Sequence, residues 1–118
     1  MDNSPNLIVE LTLEFSLEII KYTEVLEKNK RYNLANQLFR SGTSIGANVN
    51  EAQNCESRAD FIHKMKIAAK EAEETKYWLT LCLKADSYPN PEGLPEKLQI
   101  IIKILNKIIV TSKQIKVN

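Results

Sequence analysis

The chain has few of the residues from which metal sites, redox centres and covalent active sites are usually built. Its 118 residues include two cysteines and one histidine. Cys55 and Cys82 are far apart without a Cys-x-x-Cys partner, and His63 has no second histidine to share a metal ion. We therefore predict no metal site and no cofactor. Reduced thiols in a cytoplasmic protein are the favoured interpretation of the cysteines, with a disulfide or a metal pair as the alternative.

Long apolar segments are also missing. No run approaches the roughly 20 apolar residues that cross a membrane, and Met1–Pro5 has neither the basic nor the apolar part of a secretion signal. Hydrophobic residues make up 43% of the chain and charged residues 26%, which is typical of a globular domain. We predict one domain spanning residues 1–118, with no membrane contact.

The hydroxyl nucleophiles lack the partners that catalysis requires. Ser41, Thr43 and Ser44 have no convincing general base nearby in the sequence, and His63 is a weak one. The segment Gly42–Gly46 lacks the lysine and the strand-to-helix context of a phosphate-binding loop. The sequence therefore predicts a protein that is not an enzyme.

Apolar residues recur at helical spacing through most of the chain. We predict helices at about residues 5–27, 32–54, 58–85 and 95–112, with Ser57 and Asp60 as a capping pair before the third and a proline-rich loop before the fourth. Short connections favour an all-α, single-domain, antiparallel up-and-down four-helix bundle. The predicted core face of the third helix consists of Ile62, Met65, Ala69, Ala72, Leu79 and Leu83.

The second helix contains two glycines, Gly42 and Gly46, within its predicted apolar face. Each glycine in a helix interior costs roughly 1 kcal/mol relative to alanine. A helix that carries both is expected to lie close to another backbone, where a larger residue would not fit. We predict the most crowded helix contact of the bundle here.

The fourth helix has more apolar side chains than one core seam requires. Ile102 and Ile109 are expected to widen the core contact. Ile100, Ile104 and Val110 are harder to place in it, and we predict that they form the interface of a homo-oligomer.

Charge alternates along the chain although the net charge is only +1. Residues 1–27 sum to −5, 28–70 to +5, 71–96 to −4 and 97–118 to +5. Basic rows of this kind bind nucleic acid backbones without reading sequence. The alternative is a solvated face that pairs with the acidic helices. The candidate contacts to RNA or DNA are Arg58, Lys66, Lys70, Lys103 and Lys107.

Three polar residues stand near the predicted core edge, namely Asn48 and Glu51 on the second helix and Glu74 on the third. Paired carboxylates can act as acid and base or bind a metal. We favour a structural polar network that fixes helix register, with Arg40 or Arg58 as the cation. The Glu-x-x-His pattern of carboxylate metal bundles is absent.

These residues resemble a known bacterial family. Ser44–Ala52 is similar to the Ser-Ile-x-x-Asn-Ile-x-Glu core of the four-helix bundle family that includes the 23S rRNA-intervening-sequence proteins, and Asp60–Ile62, Ala68 and Glu74–Leu79 are similar to its third helix. Gly46 stands where many members have proline, which affects how the second helix bends.

The resemblance implies a bundle that often assembles as a ring-like homopentamer. A bundle related in fold, the accessory protein of diversity-generating retroelements, works with a reverse transcriptase and nucleic acid. Most members have no established activity. We therefore expect a non-enzymatic oligomeric protein that binds RNA or DNA as an assembly or adaptor. One alternative is a protein-protein interaction module without nucleic acid contact, and a less favoured one is a carboxylate-dependent metal-binding enzyme.

Overall fold

Four helices follow one another in the computed structural model, which describes residues 4–114, with side chains from Leu7 onward. They are α1 (Ser4–Lys28), α2 (Tyr32–Ala52), α3 (Arg58–Lys84) and α4 (Leu94–Gln114). No strand occurs within residues 4–114, and the all-α architecture predicted from apolar spacing is confirmed. None of these helices is both long and apolar enough to cross a membrane, so far as residues 4–114 are concerned.

Connection length sets the packing order of the helices. Three residues separate α1 from α2 and five separate α2 from α3, so consecutive helices run antiparallel. Each helix packs against the next, and α4 also packs against α1, which closes the bundle. The contact between α2 and α3 is the most extensive, and the contact between α1 and α4 is the least extensive.

The connections around α3 are fixed by specific hydrogen bonds. The Ser57 hydroxyl oxygen accepts from the Asp60 N–H at 3.1 Å, which confirms the predicted cap. The loop after α3 is tied back to α1, because the Tyr22 hydroxyl donates to the Pro89 carbonyl oxygen at 2.6 Å. Gly93 ends this loop with a φ of +83°, a conformation that favours glycine.

The core is continuous from end to end of the bundle. Of the predicted α3 face, Met65, Ala72 and Leu79 are buried in it, and Ile62 and Ala69 are partly buried against it. Ala68, Thr75 and Cys82 are buried, whereas Leu83 is 52% exposed. The prediction for Leu83 was wrong because Cys82, three residues after Leu79, takes the core position at this end of α3, and the next residue turns away from the core. On α4, Ile102 and Ile109 are buried in the core, as expected.

The glycines of α2 lie against α1. A methyl group added at Gly42 would come within 2.9 Å of the Ile19 side chain. One added at Gly46 would lie 3.3 Å from the carbonyl oxygen of Thr12 and 3.3 Å from the Ser16 hydroxyl. The predicted close approach is confirmed, and at Gly46 the neighbour includes backbone of the facing helix.

Candidate functional site

Glu74 joins α2 to α3 through an ion pair. Its carboxylate accepts from the Arg40 guanidinium and from the Trp78 indole N–H, the latter at 3.0 Å. Arg40 also reaches Glu71 at 3.4 Å. The carboxylates of Glu71 and Glu74 therefore both pair with Arg40 on the facing helix, and Arg40 is a predicted partner of Glu74.

The other two predicted polar residues have partners of their own. Glu51 binds the Lys64 ammonium at 2.7 Å, and this hydrogen bond raises the pKa of Lys64. The Asn48 side-chain amide donates to the Ser44 carbonyl oxygen at 2.8 Å, one turn earlier in α2. The three residues therefore do not share one network: Glu51 and Glu74 form two separate α2–α3 ion pairs, and Asn48 supports its own helix.

A buried polar contact that the sequence did not suggest lies beside Glu74. The Thr75 and Ser41 hydroxyl oxygens are 2.9 Å apart, and both side chains are fully buried. Thr75 also donates to the Glu71 carbonyl oxygen at 2.8 Å. Thr75 was not among the predicted core residues of α3, although its position continues the spacing of Met65, Ala68 and Ala72, and that spacing was the signal that could have found it. Over the described residues, no three or more His, Cys, Asp and Glu side chains are grouped to hold a metal ion.

Lysines from α3 and α4 converge on one side of the bundle. The nearby Lys66 ammonium lowers the pKa of Lys113 because the two like charges repel, so the two side chains are neighbours across the two helices. Lys70 follows Lys66 by one turn and is exposed. Arg58 is exposed in the first turn of α3. Lys116 is a further lysine of the basic segment and lies outside the described residues.

The two candidate lysines of α4 lie one turn apart and share a face, with Lys103 nearer α3 and Lys107 nearer α1. Successive residues turn by about 100° around a helix, so residues seven apart share a row. Lys103 shares its row with Val110, next to Gln99, which lines a groove against α3. Lys107 shares its row with Ile100, which lines a groove against α1. We call the exposed surface formed by Lys66, Lys70, Lys103 and Lys113 the α3–α4 basic face.

The lysines of this face are not neutralised by acids within residues 7–114. Among residues 7–114, Arg40, Lys64 and Lys97 form ion pairs with carboxylates, and Lys97 pairs with Glu18 at 2.5 Å. Lys66, Lys70 and Lys103 form no ion pair with any described residue. The face can therefore offer its charge to an anion from solution.

The predicted interface residues of α4 do not form one patch. Ile100 is 54% exposed, and Ile104, one turn away, packs partly against the core. Val110 is 53% exposed but lies in the Lys103 row, on the side toward α3. The structure thus groups Ile100 with Ile104 and separates Val110 from them. It also exposes Leu13, Leu17 and Phe39, which the sequence interpretation missed.

Comparison with known proteins places these features in a family. Residues 6–109 match the family model described as 23S rRNA-intervening sequence protein. A crystal structure of a protein of unknown function from the S23 ribosomal protein family of Bacteroides thetaiotaomicron is similar, with 39% sequence identity and a TM-score of 0.84. The similarity covers 91% of this chain and 98% of that chain. No curated protein matches the chain.

Proposed function

The chain belongs to the family of 23S rRNA-intervening sequence proteins, and from this premise we propose that it is a non-enzymatic, self-assembling bundle that binds the backbone of RNA or DNA. The observation that carries the proposal is the α3–α4 basic face. Its lysines come from two helices, are exposed, and have no acidic partner among the described residues. We place the protein in the cytoplasm, where its two free cysteines stay reduced.

The chemistry of this face suits phosphates rather than bases. A lysine ammonium is a point charge on a flexible stem, which contacts phosphate oxygens without fixing a hydrogen-bonding pattern. Reading a base edge needs planar donors and acceptors such as arginine or asparagine in a groove. The face offers lysines, so we propose binding that is independent of nucleotide sequence and strongly dependent on salt.

Self-assembly increases the strength of such binding. One subunit presents only a few lysines, and each phosphate contact is weak at physiological salt. Copies held in one particle engage one strand at several points, so that the second contact forms at a high effective concentration. The proposal therefore joins self-assembly to binding. Exposed apolar residues hold the copies together, and the α3–α4 basic face of each copy contacts the strand.

A second candidate function is a protein-protein interaction module without nucleic acid contact. The observation that favours it is the exposed apolar surface of α1 and α2, where Leu13 and Leu17 are each more than half exposed. Apolar patches on a protein surface mark sites of association. The two functions make opposite predictions for nucleic acid binding.

Fluorescence anisotropy with a labelled single-stranded RNA and a labelled DNA tests the proposal at low salt. We expect binding by the wild-type protein and at least a tenfold loss of affinity in a Lys66→Glu/Lys70→Glu variant. A Lys21→Glu/Lys28→Glu variant is the matched control, because it makes the same charge change at exposed positions of α1. If neither nucleic acid binds, the proposal fails and the interaction module is favoured. If both variants lose affinity equally, net charge rather than the basic face is responsible.

A further inference from the structure

One aromatic side chain stands among the lysines of α3, on the side of the helix that faces away from the core. Five residues recur there at spacings of four, three, four and seven and therefore lie in one row, namely Lys66, Lys70, Glu73, Tyr77 and Lys84. All five are exposed, and Tyr77 is 58% exposed. We call these five residues the α3 outer row. It continues the α3–α4 basic face along α3 and adds an aromatic ring to it.

The Tyr77 ring is supported from one side. It meets the Trp78 ring edge to face, with 5.4 Å between the ring centroids and 63° between the ring planes. Trp78 is fixed in turn, because its indole N–H donates to the Glu74 carboxylate at 3.0 Å and Glu74 pairs with Arg40 of α2. The Tyr77 ring therefore has a supported orientation while more than half of the residue stays in contact with solvent.

The charge around Tyr77 favours an anionic ligand. The three lysines of the α3 outer row form no ion pair with any residue between positions 7 and 114. Two of the neighbouring acids, Glu71 and Glu74, are already paired with Arg40. Glu73 is the one acid of the row, and the three lysines outnumber it. The row therefore presents an aromatic ring on a surface of positive net charge.

We propose that Tyr77 stacks on an unpaired base of single-stranded RNA or DNA, while Lys70 and Lys84 contact the strand's phosphates on either side of it. The inference rests on the proposed function and names its substrate class as single strands. Lys70 and Lys84 are each seven residues from Tyr77, which places them about 10.5 Å away along the helix axis in opposite directions. Their ammonium groups are carried on flexible stems, so they reach the backbone of a strand that runs along the row.

Single strands are selected because their bases have free faces. In a duplex, each base is covered by its neighbours in the stack, and taking it out costs free energy. Stacking on an aromatic ring accepts every base, since each has a π face. Tyr77 therefore adds affinity for single strands without reading their sequence, which agrees with a surface whose other ligands are lysines.

Fluorescence anisotropy with labelled DNA probes tests the inference. The probes are a thymidine single strand, the same strand with abasic sites in place of its bases, and a duplex of equal length. We expect Tyr77→Ala to bind the thymidine strand at least about fivefold more weakly than the wild type, because it loses stacking on a base. On the abasic strand and the duplex it should equal the wild type. Tyr77→Phe keeps the ring and should match the wild type on all probes.

Tyr32→Ala is the matched control, because Tyr32 is 54% exposed on α2 and lies outside the α3 outer row. It should bind the thymidine strand as the wild type does. Salt dependence separates stacking from charge. Tyr77→Ala should keep the wild-type slope of log affinity against log salt, since stacking releases no counterions, whereas Lys70→Ala should make the slope shallower. Light scattering and circular dichroism should give Tyr77→Ala the wild-type mass and helix content.

The outcomes separate this inference from the proposed function. If the wild type binds the thymidine strand and Tyr77→Ala binds it equally well, the inference is overturned and the proposed function stands. An equal loss by Tyr77→Ala on all probes, or a particle of lower mass, would show that Tyr77 acts through the fold or the assembly, which also overturns the inference. If the wild type binds none of the probes, the proposed function itself fails.

Discussion

The Thr75 hydroxyl of α3 lies 2.9 Å from the Ser41 hydroxyl of α2, inside the most extensive helix contact of the bundle. Both side chains have no exposed surface. A buried hydroxyl is stable in such a place only when it is hydrogen-bonded, so the Ser41 hydroxyl depends on Thr75, whereas Thr75 also donates to the Glu71 carbonyl oxygen. The pair also fixes the register of α2 against α3, because a shift by one residue would separate the Ser41 hydroxyl from Thr75.

We expect Thr75→Val to lower the free energy of unfolding by about 1–3 kcal/mol, because the Ser41 hydroxyl then loses its partner. Urea denaturation measures this change. The double variant Ser41→Ala/Thr75→Val should lose less than the sum of the two single variants, since it leaves no hydroxyl unpaired. Thr80→Val is the control on the same helix, because Thr80 is only partly buried and bonds its own helix backbone at 2.8 Å. Additive single effects would show that the two hydroxyls act independently.

Gly46→Leu is expected to destabilise the bundle by about 1–3 kcal/mol, because overpacking forces neighbouring atoms apart. The first added carbon would already lie 3.3 Å from the Thr12 carbonyl oxygen, and backbone cannot move aside as a flexible side chain does. Thermal denaturation followed by circular dichroism gives the change in melting temperature. Ala47→Leu, at the exposed neighbouring position, should melt close to the wild type. Equal melting temperatures for the two variants would contradict the close contact between α1 and α2.

Tyr22 should make the stability of the protein depend on alkaline pH. Burial raises the pKa of the Tyr22 phenol well above its ordinary value, and a hydrogen bond with Cys82 makes a smaller contribution in the same direction. An unfolded chain therefore loses this proton near pH 10 while the folded chain keeps it. The stability that Tyr22 contributes is complete below pH 10 and falls as the pH rises above it, by at most about 1.4 kcal/mol per pH unit.

Tyr22→Phe checks this dependence because phenylalanine does not titrate. Near pH 7 the variant should lose about 0.5–1.5 kcal/mol, since the hydrogen bond to the Pro89 carbonyl oxygen is gone. Between pH 10 and pH 11 its urea midpoint should fall less than that of the wild type, so the two should approach each other. Parallel curves across this range would mean that Tyr22 titrates normally.

Salt dependence should distinguish the contributions of Lys103 and Lys107 on α4. For single-stranded nucleic acid, the logarithm of the affinity falls with the logarithm of the salt concentration by about 0.7 for each phosphate neutralised. We expect Lys103→Ala, on the α3–α4 basic face, to make this slope shallower. Lys107→Ala, one turn further along α4 and nearer α1, should change the slope less. A shallower slope for Lys107→Ala alone would place the strand on the side of α4 toward α1.

The sequence by itself determined the helices and the family. Apolar spacing depends on residues a few positions apart, so it is visible without any tertiary information. The cap at Ser57 and the prolines and glycine before α4 are equally local. Gly42 and Gly46 indicated a close helix contact because glycine has no side chain to keep another helix away. This inference holds whichever helix is the neighbour. The spacing of Ile100 and Val110 was also present in the sequence, and it already placed them in different rows.

The tertiary structure decided which distant residues became neighbours. Phe39 lines a groove with Ile20, and Lys66 meets Lys113, only because antiparallel helices bring together residues far apart in the chain. The burial of Thr75 and the exposure of Leu83 depended on how α3 rotates against α2, and small side chains allow that rotation with little apolar cost. Helix formation is a local property, whereas the α3–α4 basic face exists only where two helices pack side by side.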